Sequence, residues 1–242
     1  MLNYFAKSSL ILLGMLVSAA AFASSDLHLD KAPVKLSDNA SLQRGAKTFV
    51  QYCLNCHSAA YMRYNRLQDI GLSEQQIKEG YIMTGAKVGE LMKVALDKKE
   101  AKEWFGAAPP DLSVISRSRG ADWLYTYLRG FYRDDSRSTG WNNVAFPSVG
   151  MPHVLFELQG TQVLQHEGKG EHASAKLVLE TPGKLKPAEY DAMVGDLVNY
   201  LVFMGEPVKS KRVTIGIFVL LFLGIFFVVA YMLKKEFWKD IH

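Results

Sequence analysis

The chain has 242 residues, of which 49% are hydrophobic and 21% charged, and its formal net charge at pH 7 is +4. That charge is too small to indicate a nucleic-acid partner, and we expect none. The sequence shows no internal repeat and no low-complexity tract. Residues 24–208 therefore predict one globular domain, since about 185 residues can bury a sizeable core.

The N-terminal region has the pattern of a secretory signal. Lys7 precedes an apolar run at residues 10–17, and Ala21-Phe22-Ala23 matches the A-x-A cleavage pattern. The apolar run is shorter than the roughly 20 residues that a membrane-spanning helix needs. We therefore predict that residues 1–23 are a signal peptide and that the mature, exported protein begins at Ser24.

Both cysteines lie in one pentapeptide, Cys53-Leu54-Asn55-Cys56-His57, which is the attachment signature of c-type haem. A helix predicted over residues 42–50 leads into it. The spacing suits two thioether bonds, from Cys53 and Cys56, to the vinyl groups of one porphyrin. His57 is then carried beneath the iron as its proximal ligand. The sequence therefore predicts one covalently attached haem c.

Three other kinds of site are less consistent with this motif. A thioredoxin-like pair places its first cysteine at the start of a helix that follows a strand, whereas here a helix precedes it. A disulfide would close a very short loop, constrain the unfolded chain little and leave His57 unexplained. A zinc site would need two ligands besides the cysteines, and the available histidines show no paired spacing: His57, His153, His166 and His172.

Two further helices are predicted within residues 73–131. Ser73 and Gln76 have the spacing of a capping box, so a helix begins after Ser73 and ends near Gly80. Residues 122–131 carry aromatic and leucine side chains in helical register, and Gly130 weakens the end of that helix.

A six-coordinate haem iron needs a ligand on its far face, and Met151 is the leading candidate. It follows Gly150, which permits close backbone approach, and precedes Pro152, which favours an extended conformation. His153 is the main competitor and would give a lower reduction potential than a thioether. The residues alone leave both open, beside the less suitable Met62, Met83, Met92, Met193, Met204, His166 and His172.

The last elements of the domain are a hairpin and a long helix. Residues 168–179 alternate like a β-hairpin, with a strand at residues 176–179. Pro187 suits the first position of a helix whose apolar face continues to Val202. We expect this helix to pack against the early helix at residues 42–50.

Residues 213–233 contain no charged side chain. As a helix this segment is about 31 Å long, which matches a bilayer core of about 30 Å. Basic residues flank it on both sides, so the positive-inside rule does not decide its direction. Export of residues 24–208 does decide it, and we predict a transmembrane anchor that leaves residues 234–242 as a cytoplasmic tail.

The haem motif and several further segments together resemble the cytochrome c1 family. The resemblance covers most of the exported region and the C-terminal anchor, and it implies a mainly α, class I cytochrome c-like haem domain with insertions, plus one C-terminal transmembrane helix. The segments are residues 44–46, 52–58, 61–67, 108–113, 125–128, 130–132 and 150–155.

The resemblance also implies roles for single residues. Cys53 and Cys56 would form the thioethers, and His57 and Met151 would be the proximal and distal ligands of the iron. No residue would serve as a catalytic acid, base or nucleophile.

Further residues would surround the edge of the haem. Pro110 would lie against the haem near that edge, and Arg119 would pair with a propionate. Arg117 competes for this role, because the basic segment is one residue shorter than in mitochondrial relatives. Trp123 stands where a tyrosine often bonds a propionate.

For function, the resemblance implies the haem subunit of the bacterial cytochrome bc1 complex, a dimeric ubiquinol:cytochrome c oxidoreductase. The chain would lie beside the cytochrome b subunit, accept electrons from the Rieske iron-sulfur protein and pass them to a soluble or membrane-tethered cytochrome c. Its haem domain would be anchored in the inner membrane and face the periplasm. The alternatives are an anchored monohaem carrier serving another oxidase or dehydrogenase, and a haem enzyme or gas sensor with an open iron position.

Overall fold

The architecture is given by a computed structural model that describes residues 28–167 and 174–239. The predicted signal peptide, residues 1–23, lies outside the described residues. So do residues 168–173 of the predicted hairpin and the last three residues of the predicted tail.

Helices dominate the described part of the chain, as the sequence predicts. A π-helical turn, Phe49–Cys53, extends the first helix, and a 3-10 helix covers Tyr64–Ile70. The α-helices are α1 (Asn39–Thr48), α2 (Glu74–Gly80), α3 (Lys98–Phe105), α4 (Ile115–Arg119), α5 (Ala121–Arg129), α6 (Phe156–Gln159), α7 (Pro187–Gly205) and α8 (Lys209–Phe237).

The core of the domain forms where α1 crosses α7, so the predicted packing of the early helix on the late helix is confirmed. Gly45 allows this close crossing, because a Cβ there would collide with the backbone carbonyl of Asp196. The rings of Phe49 and Tyr200 pack with their centroids 5.6 Å apart. Arg44 forms a salt bridge with Asp196 at 2.6 Å on the solvent side. This contact holds the helix that leads into the haem motif.

Local signals place two other helices correctly. α2 has the predicted capping box, with the Ser73 hydroxyl accepting from Gln76 N and the Gln76 side chain accepting from Ser73 N. Pro187 is the first residue of α7. The helix predicted at residues 122–131 is α5, and it ends at Arg129 because Phe131 already belongs to a strand.

Within residues 28–167 and 174–239, the strands form three small antiparallel sheets: β1 (Ala59–Arg63) with β2 (Leu91–Met92), β3 (Phe131–Arg133) with β4 (Trp141–Asn143), and β5 (Gly160–Glu167) with β6 (Ser174–Pro182). The predicted hairpin therefore begins earlier than residue 168, and the strand predicted at residues 176–179 lies within β6. The Gln162 side chain donates to the carbonyls of Arg129 and Phe131 at 2.9 Å. These tertiary bonds tie β5 to the end of α5.

The C-terminal helix α8 lies outside the core. Its segment Lys211–Phe237 is long and apolar enough to cross a membrane, and none of its most apolar window is buried within the domain. This exposure excludes the helix from the domain core. Helix α8 is longer than the predicted span, residues 213–233, because it continues in regular geometry through the flanking basic residues.

Candidate functional site

The cysteine motif lies at the end of the π-helical turn that extends α1. The backbone carbonyl of Cys53 accepts hydrogen bonds from Cys56 N at 3.1 Å and His57 N at 2.9 Å, which folds the motif into a tight turn. Both thiols are half-buried and are not joined in a disulfide. The turn therefore presents two thiols and one imidazole within a few residues of one another.

The environment of the thiols does not suit the rival sites. Burial raises the pKa of the Cys53 thiol to about 12, whereas a thioredoxin-like cysteine needs a lowered pKa to be reactive. Within residues 28–167 and 174–239, no group of three or more His, Cys, Asp and Glu side chains is arranged to hold a metal ion. A zinc site built on the two cysteines thus finds no further ligands in the described chain.

His57 is buried and held in one orientation. Its Nδ1 lies 2.7 Å from the backbone carbonyl of Pro110, and because a carbonyl only accepts, Nδ1 carries the proton. Burial lowers the pKa of His57, so the ring stays neutral. Nε2 is therefore left with its lone pair, which is the arrangement found for histidines that ligate metals. Sequence reasoning placed Pro110 near the haem edge but missed its role as the acceptor that orients His57.

The Pro110 carbonyl is itself fixed to the chain that follows the motif. Leu112 N donates to Ser58 O, and the Asp111 carboxylate accepts from Ala60 N, each at 2.8 Å. Asp111 also accepts from Ser113 N at 2.8 Å. Burial alone would raise the pKa of Asp111, but the hydrogen bonds from Ser113 and Ala60 outweigh it and lower that pKa. This clamp keeps the acceptor of His57 in place.

The other side of the site is built around Met151. The Tyr127 hydroxyl donates a hydrogen bond to Met151 Sδ at 3.4 Å. The Met151 side chain is half-buried and packs against a small cluster formed by Phe131, Trp141 and Val149. Burial raises the pKa of Tyr127, so its hydroxyl remains a proton donor. The structure thus holds one thioether sulfur at a defined position.

An aromatic wall, formed by Trp123, Tyr127 and Phe131, runs along this side. Trp123 stacks on Tyr127 with centroids 4.9 Å apart and planes 10° apart, and Tyr127 meets Phe131 edge-on at 5.1 Å. Arg119 lies over Trp123 at 4.9 Å. Trp123 and Tyr127 lie one turn apart on one face of α5, while Arg119 ends α4 and Phe131 begins β3 on either side of that helix. Arg119, Trp123 and the partner of Met151 are therefore brought together.

Arg117 points elsewhere. Its aliphatic stem packs near Gly205 at the end of α7. Arg117 Cγ lies 3.5 Å from the position that a Cβ on Gly205 would take. Arg119 instead shares the aromatic wall with Trp123 and also lies over Phe146 at 5.6 Å. This placement favours Arg119 over Arg117 as the partner of a propionate.

His153, the competing distal ligand, is buried against two aromatic residues of the cluster on which Met151 packs. Its ring stacks on Phe131 with centroids 4.8 Å apart and meets Trp141 edge-on at 5.1 Å. Only 2% of the residue is exposed, and burial lowers the pKa of its imidazole to about 4. Both contacts enclose the His153 ring in the aromatic cluster, whereas Met151 is half-buried and its sulfur meets the Tyr127 hydroxyl, which favours Met151 as the ligand.

The other candidates lie away from this wall. Tyr200 donates to Met92 Sδ at 3.8 Å inside the core, and Met83 is 57% exposed. The side chains of His166 and His172 are outside the described residues. The remaining candidates belong to the main core or pack against it: Met62, Met193 and Met204.

One short segment connects the two sides of the site. A Cβ on Gly150 would lie 2.7 Å from the carbonyl oxygen of Phe105, so the Met151 loop packs tightly on the end of α3. Five residues later, Pro110 contacts His57. Such a segment spans at most about 18 Å. His57 and Met151 are far apart in sequence. The segment from Phe105 to Pro110 holds them near its two ends.

Two asparagines that sequence reasoning missed position the Met151 loop. Asn143 is 1% exposed; it donates to Tyr127 O and accepts from Ala145 N, both at 2.8 Å. Asn142 accepts from Ser148 N at 2.8 Å. Ser148 has φ of 62°, which is uncommon for a residue with a side chain. The asparagines had no such local signal, whereas the aromatic wall had one, because Trp123, Tyr127 and Phe131 recur every four residues.

Taken together, these groups fit a covalently bound haem. The two thiols have the attachment spacing, a neutral imidazole keeps Nε2 for iron, and a thioether is held on the other side. Aromatic rings supply an apolar wall, and Arg119 supplies a positive charge at its end.

Comparisons with known proteins agree with this arrangement. The sequence profile described as "Cytochrome C1 family" matches residues 29–175 and 181–241. A cytochrome c1 of Allochromatium vinosum is 51% identical over 220 residues, covering 89% of this chain and 90% of that protein. A protein of Nitrosomonas europaea named ammonia monooxygenase gamma subunit is 54% identical over 234 residues, covering 96% and 97%. The mitochondrial cytochrome c1 heme protein of Neurospora crassa is 27% identical over 254 residues, covering 91% and 70%.

Proposed function

The chain belongs to the cytochrome c1 family, and from this premise we propose that it passes electrons from a Rieske iron-sulfur protein to a cytochrome c during ubiquinol oxidation. Members of the family carry covalently bound haem c and are membrane-anchored subunits of bc1 complexes, together with a cytochrome b and a Rieske protein. Both cysteines needed for attachment are present.

The observation that carries the proposal is the orientation of His57. Its Nδ1 is held by the Pro110 carbonyl, so Nε2 is the nitrogen available to the iron. Cys53 and Cys56 would hold the haem covalently, and Met151 Sδ would be the second protein ligand of its iron. When bound, the haem supplies a one-electron iron couple, and a thioether ligand favours its ferrous form.

Arg119 and Trp123 would hold the propionate end. Arg119 makes no ion pair with any described residue, and stacking on Trp123 leaves its N–H groups free to bind a carboxylate. The Trp123 indole N–H is a further donor. Pro110 would lie at the edge of the same site.

If His57 and Met151 both bind the iron, no coordination position would be left for oxygen or a small substrate. The protein would thus act as a relay and not as a haem enzyme or gas sensor. Its residues would hold the iron ligands in place, and no side chain of the site would be needed as an acid or base.

For topology, we propose that residues 1–23 are removed after export and that residues 24–208 form the periplasmic haem domain. Residues 213–233 would span the inner membrane beside cytochrome b and leave residues 234–242 in the cytoplasm. The length and exposure of α8 support this anchor. The complex would be dimeric, as the family resemblance implies.

Purification of the intact assembly from membranes tests the proposal. We expect a b-type cytochrome and a Rieske protein to travel with the chain, a polypeptide mass increased by one haem, and the weak long-wavelength ferric absorption band of methionine ligation. Replacing Cys53 and Cys56 by Ser should abolish the mass increase. Ready binding of carbon monoxide by the wild-type protein would contradict a closed iron site.

One alternative has a specific observation behind it. The relative from Nitrosomonas europaea bears the name of a monooxygenase subunit, which agrees with an anchored monohaem carrier that serves another oxidoreductase. The same purification distinguishes the two, because monooxygenase subunits in place of cytochrome b and the Rieske protein would support the alternative.

A further inference from the structure

We propose that the Tyr127 hydroxyl is a positioning and tuning group for the distal sulfur: it donates a hydrogen bond to Met151 Sδ and thereby favours reduction of the haem. The inference deepens the proposed function and rests on Met151 as the distal ligand. The observation behind it is the 3.4 Å distance between the Tyr127 hydroxyl oxygen and Met151 Sδ.

The position of the hydroxyl is determined by its surroundings on three sides. The Tyr127 ring lies between Trp123, stacked at 4.9 Å, and Phe131, edge-on at 5.1 Å. The Tyr127 backbone carbonyl accepts from Asn143 Nδ2 at 2.8 Å. Rotation of the ring away from the sulfur would break both ring contacts, and the Asn143 bond fixes the backbone that carries the ring, so the donor is held in place by the protein.

The acceptor is held by the same group of residues. Asn143 Oδ1 accepts from Ala145 N at 2.8 Å, at the start of the loop that ends in Met151. Met151 itself packs against the cluster that contains Phe131. One buried asparagine thus bonds both the helix that carries the donor and the loop that carries the acceptor.

The chemistry of a thioether allows both interactions at once. Its sulfur has two lone pairs, so one can bind iron while the other accepts a weak hydrogen bond. A donor to the sulfur withdraws electron density from the ligand, and the ferric state depends more strongly on ligand donation. The hydrogen bond therefore stabilises the ferrous form relative to the ferric form, and its removal should lower the reduction potential.

The test is Tyr127→Phe in the membrane-purified complex, which removes the hydroxyl and keeps the ring in the wall. A hydrogen bond of ordinary net strength predicts about a threefold to tenfold decrease in the equilibrium constant for haem reduction. At 59 mV per tenfold change, this is a fall of about 30 to 60 mV in the midpoint potential. The ferric band of methionine ligation should also shift, because the sulfur becomes a stronger donor.

Two control variants separate this effect from a general loss of stability. Tyr125 is buried on the same helix, and its hydroxyl has no hydrogen bond within the described chain, so Tyr125→Phe should leave the potential unchanged. Tyr190→Phe removes a buried phenol bond, to Leu128 O at 2.9 Å, away from the sulfur. It should lower stability without moving the potential or the band.

A Tyr127→Phe protein with wild-type potential and band position would overturn the inference while leaving Met151 as the ligand. If the wild-type complex lacks the methionine band, the proposed ligand is wrong and the inference fails with it. If Tyr190→Phe lowers the potential as much as Tyr127→Phe, the effect arises from stability and the specific role of the hydroxyl is refuted.

Discussion

Gly150→Ala should disrupt the site without altering any group that touches the haem. The new Cβ would lie 2.7 Å from the carbonyl oxygen of Phe105, so the Met151 loop or the end of α3 must retreat by about 0.7 Å to reach an ordinary contact of 3.4 Å. Overpacking of this kind costs about 1 to 3 kcal/mol. Because Met151 is the next residue, its sulfur should move away from the iron in part of the molecules.

The measurement combines the ferric methionine band, carbon monoxide binding by the reduced protein and thermal unfolding. We expect a weaker band, partial binding of carbon monoxide and a lowered melting temperature. Gly89→Ala is the matched control, because no atom lies within 4 Å of its Cβ position and its φ is not in the left-handed region. The control should behave like the wild type.

If Gly150→Ala retains the full methionine band and excludes carbon monoxide as the wild type does, the tight contact with α3 does not position Met151. If Gly89→Ala shows the same loss as Gly150→Ala, the effect belongs to glycine replacement in general and not to this contact.

Three further predictions follow from the core, the ligand and the clamp. Met151→Leu should lower the midpoint potential in a redox titration, since a thioether favours ferrous iron; an unchanged midpoint removes Met151 from the distal position. Gly45→Ala should lower the free energy of unfolding by about 1 to 3 kcal/mol in denaturant titrations, since the new Cβ separates α1 from α7; wild-type stability would contradict the close crossing. Asp111 has a lowered pKa because the hydrogen bonds from Ser113 and Ala60 outweigh its burial, so its stabilising effect is complete above the ordinary carboxyl pKa and is lost as the pH falls through the lowered one. Unfolding of Asp111→Asn at several pH values should therefore differ from the wild type near neutrality and converge with it in acid; a constant difference would show that ionisation is not involved.

Much of the fold was accessible from the sequence because the signals are local. The capping box of Ser73 and Gln76 and the first-turn proline of α7 act within a few residues, so pattern and structure agree. The apolar segment of α8 has a length set by the bilayer alone. The start of the hairpin was not predictable in the same way, since Gln162 joins β5 to the carbonyls of Arg129 and Phe131, which are distant in sequence.

The sequence by itself determined that this protein binds haem covalently. It also determined the residues of the attachment motif, because their spacing along the chain places Cys53, Cys56 and His57 together in any fold. It left open Met151 against His153 and Arg119 against Arg117. Only the tertiary structure gives a reason to favour Met151 and Arg119, because enclosure of His153 by Phe131 and Trp141, stacking of Arg119 on Trp123 and packing of Arg117 near Gly205 depend on segments that meet after folding. The same holds for the Pro110 carbonyl that orients His57 across 53 residues.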